Sequence, residues 1–156
     1  RPRVGLVWSG NSSHNNDLQR SVSLEALLAC VPEHMQAVSL QQEVRAHDHA
    51  VIQAHPQLLH FGAELQDFED TAALCQQMNL VISVDTSVAH LSCAMGQATW
   101  VLLPHCPDWR WQLERSDSPW YPSAKLYRQT QRQDWSTVTD AIHQDLLKLR
   151  PTFIRP

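Results

Sequence analysis

At 156 residues the chain is long enough to bury a core as one compact domain, and its 43% hydrophobic content is ordinary for a globular protein. A formal net charge of −4 excludes the basic surface that non-specific nucleic-acid binding requires. No apolar run approaches the roughly 18 residues that read as a membrane span, and no signal-peptide pattern is present.

Cysteine usage adds to this. Cys30, Cys75, Cys93 and Cys106 are far apart, with no C-x-x-C pair, and three of them sit in apolar-patterned segments. That pattern predicts reduced core residues of a cytoplasmic protein rather than bridges or zinc ligands. The close histidine pair, His47 and His49, has no cysteine nearby, so no metal site is expected. Arg1-Pro2-Arg3 runs directly into an apolar stretch, which predicts a domain excised from a longer protein.

In chain order, short apolar runs alternate with amphipathic ones, the βα pattern of a parallel sheet covered by helices. Val4–Trp8 is a predicted strand ended by Ser9-Gly10-Asn11, and a polar loop runs from Ser12 to Arg20. Ser23–Cys30 is a short helix, Gln36–Leu40 a second strand, and His47–His55 a weakly helical segment ending at Pro56. Leu58–Phe61 is a third strand. Asp67 starts a helix over Phe68–Met78, with Phe68, Ala72 and Cys75 expected inward. Leu80–Val84 is apolar and β-branched throughout, as a strand buried on both faces should be. Thr86–Met95 is a helix with Val88, Leu91 and Met95 towards the core and Gly96 as its stop. Ala98–Leu103 is another buried strand, and Lys125–Gln129 a sixth. Asp134–Leu149 is a final helix, with Trp135, Val138, Ile142, Leu146 and Leu149 inward. The expected fold is α/β: a doubly wound, mainly parallel six-stranded Rossmann-like sheet with helices on both faces.

Three segments are candidates for chemistry. In such sheets ligands bind beyond the carboxyl ends of the strands, where strand order reverses. Ser9, Gly10 and Asn11 let the chain turn tightly and present N–H groups, and Arg20 can add positive charge; the same residues also read as a plain strand-ending turn. The absence of G-x-G-x-x-G and of G-x-x-x-x-G-K-[ST] argues against a dinucleotide enzyme and a P-loop ATPase.

Asp85-Thr86-Ser87 lies where a buried strand turns into a helix. Asp85 is expected to cap that helix, the N–H groups of Ser87 and Val88 and two hydroxyls offering an anion site, with His90 one turn further on the face of Thr86. The alternative is a simple cap with His90 packed under a loop. The third segment, Leu103 to Pro122, is long and aromatic. Arg110, flanked by Trp109 and Trp111, can stack on a base or sugar and meet phosphate, or the tryptophans can pack. For Trp120, before Tyr121-Pro122, packing is the expectation.

Val81 to Pro104 resembles the segment of heptosyltransferase-like enzymes of the GT-B fold that reads D-[ST]-G-x-x-H-x-A-x-A followed by an apolar strand. The match is closer to bacterial glycosyltransferase-like domains fused to tetratricopeptide repeats. Those carry W-S-G-N (here Trp8 to Asn11), D-T-A-A (Asp70 to Ala73), D-T-x-V-A-H-L (Asp85 to Leu91), D-W-R-W (Asp108 to Trp111) and W-Y-P (Trp120 to Pro122), in this order.

The resemblance implies the C-terminal half of a GT-B glycosyltransferase, facing an N-terminal domain that this chain does not contain. It implies a nucleotide-sugar donor as substrate and partner, with no further cofactor and no metal. The donor phosphates would lie at Thr86-Ser87 and the loop after the first strand, with Ser9, Gly10, Asn11, Arg20, Asp85, His90, Trp109 and Arg110 around them. Ser87 stands where heptosyltransferases commonly have glycine, and Arg20 is the nearest substitute for their first-loop lysine. The other reading is a non-catalytic, degenerate interaction module in a repeat protein. A free-standing hydrolase is disfavoured, since no G-x-S-x-G elbow appears.

Overall fold

The structure, a computed structural model, describes residues 1–149. Six strands form one sheet: β1 (Arg3–Val7), β2 (Gln36–Ser39), β3 (Leu59–His60), β4 (Leu80–Val84), β5 (Thr99–Leu103) and β6 (Ala124–Arg128). Their order is β3-β2-β1-β4-β5-β6, and every neighbouring pair is parallel. The chain builds outward from β1 to β3, returns to place β4 on the other side of β1, and builds outward again. The topological switch point therefore lies between β1 and β4. The sheet is doubly wound and Rossmann-like, as the alternating pattern predicts.

The helices are α1 (Asp17–Arg20), α2 (Leu24–Cys30), α3 (Ala46–Ala54), α4 (Phe68–Gln76), α5 (Ser87–Ala94) and α6 (Ser136–Lys148). Strand alternation sends Val4, Leu6, Leu80, Ile82, Val84 and Leu102 to one face, where α2 and α6 cover them through Leu24, Leu27, Val138, Ile142 and Leu146. The other face carries Val7, Val38 and Val81 against Cys75 and Met78, and Val101 and Leu103 against Ala89 and Cys93. Local signals hold several ends in place. Ser23 caps α2 by accepting from the Ala26 N–H at 3.0 Å, and Asp67 caps α4 by accepting from Asp70 at 2.9 Å. Gly96 takes φ 72° to stop α5, a conformation that side chains resist.

Two helices turn differently from the expected phase. Phe68 in α4 is 60% exposed, and the buried stripe is Thr71, Cys75 and Met78, still at i, i+4, i+7 but rotated. In α5 the residues against the sheet are Ala89, Ser92 and Cys93, while Val88, Leu91 and Met95 are half-buried. Small side chains let the α5 backbone lie close to β4 and β5, and Ser92 Oγ meets Thr99 Oγ1 at 2.8 Å inside that contact. Trp135 is half-buried at the start of α6, donating its indole N–H to the Ser21 carbonyl at 3.0 Å.

The long segment between β5 and β6 is tied down. It contains a single 3-10 turn at Trp109–Trp111, and Arg128 donates to the carbonyls of Arg115 at 2.8 Å, Gln112 at 2.6 Å and Trp111. No helix among the described residues is long and apolar enough to cross a membrane.

Candidate functional site at the switch point

The carboxyl end of β1 is fixed by polar side chains from distant parts of the chain. Trp8 is buried and donates its indole N–H to Asp48 Oδ2 at 2.9 Å. The Gln41 amide acts as a surrogate strand: its Oε1 accepts from the Trp8 and Ser9 N–H groups at 3.2 and 3.3 Å. Its Nε2 donates to the Ser9 carbonyl at 3.0 Å. The Ser9 hydroxyl is buried with no hydrogen-bond partner among the described residues. Such an orphaned group costs on the order of 1–3 kcal/mol, a cost that a ligand oxygen would relieve.

Gly10 is covered by the Arg20 side chain. A Cβ there would lie 2.2 Å from Arg20 Nη2 and 2.5 Å from its Cζ, so the guanidinium rests directly on the glycine backbone. Arg20 also donates through Nη1 to the Asp85 carbonyl at 3.0 Å, while its buried Nε has no hydrogen-bond partner. One side chain thus joins the loop after β1 to the loop after β4. Asp17, buried in α1, holds it from behind: it lies 4.0 Å from Arg20 Nε, is ion-paired with Arg45 and accepts from Ser21 Oγ at 3.1 Å.

At the end of β4 the expected Asp85 cap is absent. Thr86 is the N-cap residue of α5 and no side chain caps the helix. The Asp85 carboxylate turns instead to His90, with Oδ1 3.4 Å from Nε2. His90 Nδ1 meets the Tyr121 hydroxyl at 3.1 Å, and its ring stacks on Trp111 with centroids 5.0 Å apart. The imidazole is therefore fixed on three sides.

The Thr86 hydroxyl is also committed. Ser83 Oγ gives its proton to the Val84 carbonyl at 2.7 Å, so in the 3.1 Å contact with Thr86 Oγ1 it is Thr86 that donates. Among the described residues no side chain occupies the N–H groups of Ser87 and Val88, and Ser87 is exposed. These groups and the Ser87 hydroxyl face solvent at the positive end of the helix dipole.

Two adjoining clefts meet here. One, about 290 Å³, is lined by Arg20, Asp85, Thr86, Ser87, His90 and Arg110, together with His14 and Cys106. The other, about 330 Å³, takes in Ser9, Gly10, Asn11, Arg20, Thr86 and Ser87. Arg20, Thr86 and Ser87 belong to both, so nine of the ten candidate residues converge on one place. The tenth, Trp109, lines neither cleft; it is 72% exposed beneath the Arg110 guanidinium, 5.0 Å from its ring centroid. Arg110 is ion-paired with Asp108 at 2.9 Å. Trp111 is buried, which settles it as a packing residue, whereas Trp120, expected to pack, is 61% exposed.

A cavity of about 580 Å³ lies at the amino-terminal ends of the strands, against Leu28 and Val31 and with Gln36 and Gln57 on its wall. Ligands of doubly wound sheets bind at the opposite edge, and the free N–H groups are there. Sequence reasoning missed Asp17, Gln41, Asp48 and Tyr121. Only Tyr121 carried a signal, in its W-Y-P context. Among the described residues no group of three or more His, Cys, Asp or Glu is placed to hold a metal ion. No family model, curated protein or solved structure matches the chain.

Proposed function

We propose that this domain holds the diphosphate of a nucleotide-sugar donor at the amino terminus of α5, as the C-terminal half of a GT-B glycosyltransferase of the cytoplasm. The observation that carries the reading is the uncapped helix start, open to two clefts with Arg20 between them. Free N–H groups, a helix dipole and a guanidinium together suit an anion with two charged centres. Charge that develops on the leaving diphosphate as the glycosidic bond breaks would be stabilised by donors already in position. His90, held between Asp85 and Tyr121, faces the same cleft and would contact a phosphate or the sugar. Exposed Trp109 and Trp120 on the neighbouring loop suit coverage by the partner domain of such an enzyme.

Calorimetric titration with UDP, GDP and ADP tests this. Binding of at least one is expected, weakened about tenfold or more in the Thr86→Ala/Ser87→Ala double variant, the size of one hydrogen bond to a charged group. Most of the loss should reside in Ser87→Ala alone, because the Thr86 hydroxyl already donates to Ser83. No heat and no thermal shift at millimolar nucleotide would count for the second reading, a non-catalytic interaction module. One observation favours that module: Asp108 already neutralises Arg110 at the cleft.

A further inference from the structure

Cys106 stands apart from the other thiols. Burial pushes Cys30, Cys75 and Cys93 up to about 11, which keeps them protonated and unreactive. Cys106 is exposed, and the Arg132 guanidinium donates towards its sulfur at 3.8 Å. The thiolate is the form of a cysteine that attacks, and attack requires access.

Cys106 also lines two recesses. It lines the cleft at the start of α5, and it lines a smaller one of about 220 Å³ at the ends of β5 and β6. The smaller cleft is walled by Gln19, His105, Gln129, Arg132 and Gln133. Gln129 is 5% exposed; its Oε1 accepts from the His105 N–H at 3.1 Å, but its buried Nε2 has no partner among the described residues. No carboxylate lines this cleft, so the amide donor and the guanidinium fork are left for an acceptor from outside. Two such donors match a carboxylate.

We propose that Cys106 is a modification site for a low-molecular-weight disulfide that bears carboxylates, with Gln129 and Arg132 holding a carboxylate of the adduct in the adjoining cleft. The thiol loses its proton to solvent, and the thiolate attacks one sulfur of the disulfide. A new S–S bond forms to Cys106 as the reagent's own S–S bond breaks. The other half leaves as a thiolate and takes up a proton, so Cys106 is oxidised as the leaving sulfur is reduced. A peptide-sized adduct on a sulfur shared by both clefts also obstructs the one at α5. That last consequence rests on the donor reading given above.

The test uses this chain with glutathione disulfide and with cystamine, whose charge is of opposite sign, each rate normalised to that of the same reagent with free cysteine. Mass spectrometry should find one adduct, at Cys106, forming roughly fivefold faster with glutathione disulfide, a preference of the size expected from an exposed ion pair. Arg132→Gln and Gln129→Leu should each reduce that preference, and Cys106→Ser should take up nothing while melting at the wild-type temperature. Equal normalised rates, a preference untouched by Arg132→Gln, or adducts on the buried cysteines of the folded protein would overturn the site. Nucleotide titration of the modified protein separates the two claims. Binding that survives modification unchanged overturns the obstruction. If the unmodified protein binds no nucleotide, the donor reading and the obstruction fall together, while the adduct data alone decide the site.

Discussion

Trp8 carries more of the local structure than its place at a strand end suggests. Its ring belongs to the main core cluster, its indole N–H neutralises part of a buried carboxylate, and its backbone N–H is held by Gln41. Asp48 is 3% exposed, and among the described residues its carboxylate has only the solvent-exposed His47 imidazole as another close partner, at 3.3 Å. Trp8→Phe keeps an aromatic ring but strands that carboxylate, at a cost of about 1.5–3 kcal/mol for a lost hydrogen bond to a charged group. Urea unfolding should show a lower midpoint at an unchanged slope. An unchanged midpoint would mean that the Trp8–Asp48 bond adds nothing to stability. At this scale the legible residues were those whose role is local: Ser9 and Gly10 just past a strand end, Ser87 at a helix start and Asp67 as a cap. Asp48, Gln41 and Asp17 were not legible, because each acts on a partner 28 to 40 positions away. Asp85 was misread for a related reason. A carboxylate before a helix has a strong local option, and here the His90 imidazole competes for it.

Among elements, the central strands β1, β4 and β5 were the most readable, because parallel strands buried on both faces must be nearly continuous apolar runs. Helix phase was less so: small residues can lie against a sheet as readily as large ones, and in α5 they do. The attachment of α6 to β6 shows an interaction that pattern alone does not reveal. The hydrogen bond from Lys125 at 2.6 Å, with those from Tyr127 at 2.8 Å and Lys148 at 3.2 Å, holds the Asp145 carboxyl down at about 2. A folded value below the ordinary aspartate value of roughly 3.9 means the group stabilises the fold above that unfolded value. The contribution then fades as pH falls towards 2. Asp145→Asn should therefore cost up to about 1 kcal/mol at pH 7, the scale of a partly exposed ion pair. Thermal melts of wild type and variant should converge between pH 4 and pH 2. A gap that stays constant across that range would show that the loss is one of packing and not of charge.

Across the whole molecule, the site depends on two loops that the ladder brings side by side without itself bonding them. β1 and β4 are paired through Val7 and Ser83, and beyond that register the chain diverges into Ser9-Gly10-Asn11 on one side and Asp85-Thr86-Ser87 on the other. Arg20 closes the gap, resting on Gly10 and donating to the Asp85 carbonyl, and Asp17 with Arg45 fixes its position. Arg20→Ala removes this brace without touching the sheet, whose order and register are set by the strands. The folded state should persist, but hydrogen exchange should quicken in both loops at once, at residues 9–12 and 85–86, because each has lost the same partner. On the proposed donor reading, nucleotide affinity should fall by more than tenfold, since the variant loses a charged donor and the alignment of the donors that remain. Arg20→Lys should recover little of it: a single ammonium cannot cover the Gly10 backbone and reach the Asp85 carbonyl as a planar fork does. Faster exchange in only one loop, or full recovery by lysine, would show that the two loops are held independently and that Arg20 contributes charge alone.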